Sequence, residues 1–176
     1  MRTQKIVLLG YMGSGKSSTG VMLKNILNMT FWDLDKFIEL KSNTDINTIF
    51  KIHGEIYFRS QERNALLELL SSKDPMIISL GGGTPCYYDT MEYLNSYDEV
   101  KTFYLQASTE NLSKRLFNSE DKRPLISHLK TFDQIKDFVS KHLFERNRYY
   151  IKADHIINTN QKSMEKVSNE IVNLLF

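Results

Sequence analysis

The sequence predicts an α/β protein in which a parallel sheet is covered by helices on both faces. Short apolar runs rich in β-branched or aromatic residues alternate along the chain with longer segments of helical periodicity. This alternation is typical of parallel sheets that carry helices on both sides. A glycine-rich segment, GYMGSGKSS, also lies directly between the first apolar run and the first helical segment.

Each strand is assigned to one apolar run, and each helix to one segment of helical period. The predicted strands are Lys5–Leu9, Thr30–Trp32, Met76–Leu80, Lys101–Leu105 and His155–Asn158. The predicted helices cover roughly 15–27, 57–70, 109–116, 132–150 and 164–175. Because ligands of such sheets bind outside the carboxyl ends of the strands, functional residues are expected just after each run.

Size and composition narrow the class of protein. A chain of 176 residues with 41% hydrophobic and 25% charged residues is expected to form one soluble domain, 1–176. The net charge of +2 gives no support to a nucleic-acid partner. Cys86 is the only cysteine, which rules out an intrachain disulfide and agrees with a reducing cytoplasm. The N-terminus has no signal-peptide pattern, and no run reaches the ~18 apolar residues needed to span a bilayer. We therefore expect an intracellular protein without a membrane partner.

The glycine-rich segment at 10–18 fits the phosphate-binding pattern G-x-x-x-x-G-K-[ST], or P-loop, between a strand and a helix. Its glycines permit a tight turn whose N–H groups surround an anion at a helix N-terminus. Lys16 is expected at the β- and γ-phosphates, and the Ser17 hydroxyl on Mg²⁺. The other predicted phosphate-binding residues are Gly13, Ser14, Gly15 and Ser18. A surface turn is the alternative, and the motif alone does not name the reaction.

Two carboxylates, Asp33 and Asp35, follow the second predicted strand. No acid follows the third or fourth strand, where many P-loop proteins place a metal-holding aspartate. Residues two apart in extended chain project to the same side, so both acids face the phosphate site if the strand continues that far. In the alternative interpretation they are surface acids that open a solvated helix.

Three further segments contain candidate site residues. Gly81-Gly82-Gly83 follows the third strand, where backbone N–H groups can approach a ligand, although a flexible turn has the same sequence. Arg59 and Glu62 are neighbours on a predicted helix, either in a site or as an ordinary ion pair. Arg123 lies in the polar segment 118–128, which is either an ordinary loop or a lid that closes over a transferring phosphoryl group.

These motifs resemble the shikimate kinase family over nearly the whole chain. They are the P-loop at 10–17, the acids at 33–35, GE..FR..E at 54–62, the glycines at 81–83, RPL at 123–125, and Arg146 with Y..AD..I.T at 150–159. The resemblance implies a three-layer P-loop kinase fold with five parallel strands. It also implies a mobile lid at about 118–128 and a substrate-binding helical segment at about 34–62.

The resemblance further implies an activity and its partners. The activity is transfer of the γ-phosphoryl group of ATP to the 3-hydroxyl of shikimate in aromatic amino-acid biosynthesis, with Mg²⁺ as cofactor. The partners are ATP and shikimate, and the enzyme is expected to be a cytoplasmic monomer. A kinase of another polyol acid, such as gluconate, and a non-catalytic ATP-binding switch are the rival hypotheses.

Carried over residue by residue, the family assigns a role to each candidate. Asp33 supports the metal beside Ser17, and Asp35 hydrogen-bonds the substrate hydroxyl. The residues that meet the phosphates are Lys16 and the lid residue Arg123, with Arg115 a candidate for adenine. The substrate contacts are Arg59, Gly82 and Arg146, and the pocket is lined or oriented by Ile46, Phe50, Phe58 and Glu62. Arg148 stands where the family commonly has proline, so Arg146 is assigned by register.

Overall fold

The computed structural model describes residues 4–119 and 124–176, which contain five strands and seven helices. The strands are β1 (Lys5–Leu9), β2 (Thr30–Asp33), β3 (Met76–Ser79), β4 (Val100–Gln106) and β5 (His155–Asn158). The helices are α1 (Lys16–Leu27), α2 (Leu34–Ser42), α3 (Ile46–Ser71), α4 (Thr90–Asn95), α5 (Thr109–Phe117), α6 (Phe132–Tyr150) and α7 (Met164–Leu175). Two single 3₁₀ turns lie at Thr84–Cys86 and Pro124–Ile126.

The five strands form one parallel sheet in the order β2-β3-β1-β4-β5. β1 is central: Lys5 pairs with Met76 of β3 on one side and with Val100 of β4 on the other. All five residues of β1 are buried, as expected for a strand covered on both faces. The predicted α/β class with a five-stranded parallel sheet is therefore confirmed. Since the strands are parallel, the carboxyl ends of β1, β2 and β3 meet at one edge.

The apolar core is divided between the two faces of the sheet, because successive strand residues point to opposite sides. On one face, Val7 and Leu9 belong to a cluster with side chains of α2 to α6. On the other face, Ile6 and Leu8 pack with side chains of α1 and α7. In the described ranges, no helix is both long enough and apolar enough to cross a membrane.

Polar caps fix the starts of the two helices that bring arginines to the edge of the sheet. The Asp45 carboxylate accepts a hydrogen bond of 3.0 Å from the N–H of Thr48 at the start of α3. Thr131 and Gln134 form a capping box at the start of α6. These caps set where the helices begin, and therefore which residues face the sheet edge.

In the segment after β2, the strand does not continue as far as Asp35, and α3 begins earlier than predicted. The strand ends at Asp33 and α2 begins at the next residue, so Asp35 lies in the first turn of a helix, not in extended chain. α3 begins at Ile46, eleven residues before the predicted start at Tyr57. Gly54 interrupts it with φ 79° and ψ 178°, which breaks the helical period that the sequence pattern relies on.

The predicted lid falls partly outside the described residues. Residues 120–123, and with them Arg123, are not described, while 118, 119 and 124–128 are. The described part after the gap begins with the 3₁₀ turn Pro124–Ile126. The mobility of this segment stays a prediction.

Candidate active site

The glycine-rich turn connects β1 to α1. Gly10, Gly13 and Gly15 have φ angles of 141°, 80° and 97°, which residues with a Cβ rarely adopt. Because α1 begins at Lys16, the turn ends at a helix N-terminus, where partial positive charge favours an anion. The Ser14 hydroxyl is buried and has no hydrogen-bond partner within the described ranges. A phosphate oxygen bound in the turn supplies such a partner.

The first residues of α1 place a cation and a hydroxyl beside the turn. The Lys16 ammonium donates to the carbonyl oxygens of Gly10 (2.8 Å) and Tyr11 (3.0 Å), which holds it over the turn. The Ser17 hydroxyl donates to Oδ2 of Asp33 across 2.8 Å. Ser18 is the next residue of α1 and is exposed.

The oxygen atoms of Ser17 and Asp33 fit a magnesium ion. Mg²⁺ usually takes one or two protein oxygens and completes its shell with water and phosphate oxygens. Over the described residues, no group of three or more His, Cys, Asp or Glu side chains could hold a metal. The donor set therefore suits a metal that is held jointly with a nucleotide.

Asp35 lies in a cluster of acids at the carboxyl end of β3. Its Oδ1 and the Oε1 of Glu62 both lie within 3.0 Å of the point where a Cβ on Gly81 would be. Burial, reinforced by the carboxylates of Glu62 and Asp33, raises the pKa of Asp35 to about 6, and the nearby charge of Lys16 opposes this rise. Asp35 is therefore a stronger base than an ordinary carboxylate.

The raised pKa of Asp35 predicts a pH-dependent stability. An acid with a higher pKa in the folded state stabilises the fold fully below its unfolded pKa of 3.8, and this contribution is lost as the pH rises towards about 6. In metal-free buffer without nucleotide, we expect the free energy of unfolding of Asp35→Asn, relative to that of the wild type, to increase as the pH rises over this range. The gain is at most about 3 kcal/mol. Chemical denaturation of both proteins between about pH 4 and pH 7 measures it, and a constant difference contradicts the raised pKa.

Arg59 is held by two carboxylates of its own helix, α3. Its Nη1 donates to Oε2 of Glu62 across 2.5 Å, and its Nε and Nη2 donate to Oε1 of Glu55 across 3.3 and 3.1 Å. The side chains of Arg59 and Glu62 are only 12% and 3% exposed. A guanidinium has five N–H hydrogens, so these bonds leave two for a bound carboxylate. The Arg59–Glu62 ion pair exists, and it lies within the acid cluster instead of on an open surface.

Two side chains after β3 fix the acids that hold Arg59. The Tyr87 hydroxyl donates to Oε1 of Glu55 across 2.7 Å, and its ring centre lies 4.2 Å from the guanidinium carbon of Arg59. The Thr84 hydroxyl donates to Oε1 of Glu62 across 2.6 Å. The sequence motifs gave no role to Glu55, Thr84 or Tyr87. The i, i+4 spacing of Glu55 and Arg59 was a usable signal, whereas no local pattern marks Thr84 or Tyr87.

The glycine triplet lets charged side chains approach the backbone. A Cβ on Gly83 would lie 2.9 Å from both terminal nitrogens of Arg59. A Cβ on Gly81 would lie within 3.0 Å of side-chain oxygens of Glu62, Thr84 and Asp35. Neither glycine has a positive φ. The need for glycine here therefore comes from close packing and not from an unusual backbone conformation.

Arg146 approaches the triplet from α6. Its Nη1 would lie 3.6 Å from a Cβ on Gly82, and its guanidinium carbon lies 5.6 Å from the centre of the Tyr11 ring, within cation–π range. A Cβ on Gly82 would also lie 3.5 Å from the backbone N of Met12, so the triplet and the P-loop are adjacent. The structure thus brings Arg146, the triplet and the phosphate-binding turn together.

Arg148 is directed elsewhere. Its Nη2 donates to the Tyr149 hydroxyl across 3.1 Å, and its guanidinium carbon lies 4.9 Å from the centre of that ring. It lines a groove that also includes Tyr104 and Ser140. Arg146, and not Arg148, is therefore the arginine beside Gly82.

Comparisons with known proteins show the family to which this chain belongs. The family model described as shikimate kinase matches residues 12–176. A shikimate kinase of Flavobacterium johnsoniae is 43% identical over 172 residues, which cover 98% of this chain and 99% of that protein. The chain belongs to the shikimate kinase family.

Solved structures of shikimate kinases show the same fold. The crystal structure of the shikimate kinase from Bacteroides thetaiotaomicron superposes with a TM-score of 0.88 at 34% identity and covers 98% of both chains. The shikimate kinase from Acinetobacter baumannii, solved in complex with shikimate, has a TM-score of 0.85 at 30% identity, with 99% of this chain and 94% of that one covered. The predicted family and fold are therefore confirmed.

Other residues to which the family resemblance gave roles lie around this centre. Phe50 and Phe58 pack against each other with ring centres 4.5 Å apart, and Ile46 joins the same core cluster. Arg115 spans from the P-loop to the end of β5, because it donates to the carbonyl oxygens of Gly13 (3.0 Å) and Thr159 (3.4 Å). Arg123 lies outside the described residues. Contact of these side chains with substrates stays a prediction.

Proposed function

We propose that this protein is a shikimate kinase that transfers the γ-phosphoryl group of ATP to the 3-hydroxyl of shikimate, an aromatic amino-acid biosynthesis step. The observation that carries the proposal is the juxtaposition of Arg59, Arg146 and Asp35 with the P-loop at one edge of the sheet. Shikimate is a carboxylate that bears three hydroxyls. Its two kinds of group match the two arginines and the acid.

The arginines account for binding of the carboxylate. Each charge-assisted hydrogen bond contributes on the order of 1.5–3 kcal/mol, and paired N–H groups match the two oxygens of a carboxylate. Glu55 and Glu62 hold the Arg59 side chain before substrate arrives, so little conformational entropy is lost on binding. Arg146 and the backbone of Gly82 complete this end of the site.

Asp35 accounts for the reacting end. It orients the 3-hydroxyl towards the γ-phosphorus and accepts its proton as the new O–P bond forms and ADP departs. Its raised pKa of about 6 suits this role near neutral pH. Because the transition state of phosphoryl transfer is loose, holding the hydroxyl in line contributes much of the rate enhancement.

Groups that contact the nucleotide phosphates neutralise the negative charge on the phosphoryl oxygens. Lys16 and Arg123 are assigned to this role, and the backbone of Gly13 to Ser18 holds the phosphates. Ser17 and Asp33 are assigned to hold Mg²⁺, which supplies further positive charge on the phosphates when bound. We also propose that the protein is a monomer in the cytoplasm. Light scattering tests the monomer, which has a mass of 20.6 kDa.

The acceptor is tested by ADP formation from Mg-ATP with separate acceptors. We expect ADP formation that depends on shikimate, and only background rates with gluconate, with nucleoside monophosphates or without acceptor. Faster turnover with gluconate favours a kinase of another polyol acid. ADP formation that no acceptor changes favours an ATP-hydrolysing switch, and either result contradicts the proposal.

The close approach of Arg59 to Gly83 gives a sensitive test of the carboxylate site. In Gly83→Ala the new methyl must displace the guanidinium, since it would lie 2.9 Å from two of its nitrogens. We expect the KM for shikimate to rise about tenfold, corresponding to loss of one hydrogen bond, with the KM for ATP unchanged. Steady-state kinetics with each substrate varied in turn measures both values. A change confined to the KM for ATP contradicts this assignment of Gly83.

A further inference from the structure

Tyr150, the last residue of α6, contacts the glycine triplet directly. Its side chain is completely buried, and its hydroxyl donates to the carbonyl oxygen of Gly82 across 2.5 Å. Burial raises the pKa of Tyr150, so the hydroxyl keeps its proton throughout the physiological range. The phenol is therefore a permanent donor to the backbone of the triplet.

This bond fixes a segment that has no side chains of its own to hold it. Glycine loses more conformational freedom on folding than any other residue, so three in a row are readily disordered. In a trans peptide the C=O and the following N–H point in opposite directions, and no peptide of the described chain is cis. By holding the carbonyl of Gly82, Tyr150 therefore also sets the direction of the N–H of Gly83.

The same helix delivers the substrate-binding arginine. Arg146 and Tyr150 stand at i and i+4 on α6, which places them on one face of the helix. Both approach Gly82: Nη1 of Arg146 lies 3.6 Å from the point where a Cβ on Gly82 would be, and the Tyr150 hydroxyl donates to the carbonyl oxygen of Gly82. The ring of Tyr104, with its centre 5.1 Å away, packs against Tyr150 and restricts its position. One rigid element thus sets the distance between the arginine and the triplet.

We propose that Tyr150 is a positioning residue for the substrate carboxylate: it does not touch substrate, but orients the Gly82–Gly83 peptide relative to Arg146. This inference rests on the proposed function. Without the hydroxyl, the buried carbonyl of Gly82 loses its partner and the triplet samples orientations that turn the carbonyl dipole towards the bound carboxylate. The effect is expected on shikimate binding and not on ATP binding, because the described hydrogen bond of the Tyr150 hydroxyl goes to Gly82 and not to the P-loop.

Tyr150→Phe tests the inference, since it keeps the ring in the core and removes one oxygen. We expect the KM for shikimate to rise about tenfold, with kcat within about twofold and the KM for ATP unchanged. Amide hydrogen exchange at Gly82 and Gly83, followed by NMR in the protein without substrates, is expected to become faster. This second measurement does not depend on turnover.

Tyr104→Phe is the matched control. Tyr104 is also buried, but its hydroxyl is 3.3 Å from Oδ1 of Asn147 and does not contact the triplet. We expect this variant to leave the KM for shikimate and the exchange at Gly83 unchanged.

The outcomes separate this inference from the proposed function. If wild type phosphorylates shikimate and both tyrosine variants share its KM and exchange rates, Tyr150 is only structural and the inference is wrong. If wild type phosphorylates no shikimate, the proposed function is wrong and the inference falls with it. The inference is supported if Tyr150→Phe shows a higher KM for shikimate and faster exchange while Tyr104→Phe shows neither change.

Discussion

Asp35→Asn is expected to lower kcat for shikimate phosphorylation at least about a hundredfold while ATP still binds. The amide has nearly the same shape and keeps one oxygen acceptor, but it cannot take the proton from the 3-hydroxyl. The same variant is expected to be more stable than wild type at neutral pH, because the ionised Asp35 lies among other acids and is partly buried. Lower activity with higher stability is a combination that misfolding does not produce.

Steady-state kinetics, ATP titration and thermal unfolding of the Asp35→Asn protein measure its kcat, its affinity for ATP and its stability. Asp137→Asn is the control, since Asp137 is exposed on α6 away from the acid cluster. It is expected to match the wild type in all three. Turnover by Asp35→Asn near the wild-type rate removes Asp35 from the chemistry.

Arg59→Ala is expected to weaken shikimate binding at least about a hundredfold, since two charge-assisted bonds to the carboxylate are lost. The affinity for ATP is expected to be unchanged. The substitution also leaves the buried carboxylate of Glu62 without its cation, so the variant is expected to be less stable. Arg59→Lys is a second variant: it keeps the charge, but loses the paired donors, and is expected to bind shikimate with intermediate affinity.

Isothermal titration with shikimate and with ATP measures both affinities on protein shown to be folded. Arg63→Ala is the matched control, because Arg63 lies one turn further along α3 and pairs with Asp89 at 2.8 Å. It is expected to bind shikimate like the wild type. An Arg59→Ala protein with a defect only in ATP affinity contradicts the carboxylate site.

Local sequence patterns predicted the sheet and the P-loop, because both depend on short-range properties. β5 was predicted with its observed ends, and the glycine spacing of the P-loop is contiguous in the chain. The local pattern missed α2 because it begins directly after Asp33, with no loop to mark the change from strand to helix. The family resemblance did imply helical structure there, at about 34–62. The pattern also missed the first eleven residues of α3, about three turns, because Gly54 interrupts the helical period.

The site was predictable where one motif holds the chemistry and unpredictable where contacts join distant segments. Arg59 and Glu62 are three residues apart, and the structure shows them in contact as a helix requires. The hydrogen bonds of Thr84 to Glu62 and of Tyr150 to Gly82 connect residues 22 and 68 apart in the chain. Only the tertiary fold brings such pairs together, so no local pattern indicates them.

³¹P NMR of the reaction mixture shows whether phosphorus passes from ATP to the 3-hydroxyl of shikimate. After incubation of the protein with Mg-ATP and shikimate, we expect one new phosphomonoester signal. Proton correlation is expected to couple this phosphorus to the hydrogen on carbon 3 of the ring, with ADP formed in equal amount. Release of inorganic phosphate without a phosphomonoester, or a phosphorus coupled to another ring position, would contradict phosphoryl transfer to the 3-hydroxyl.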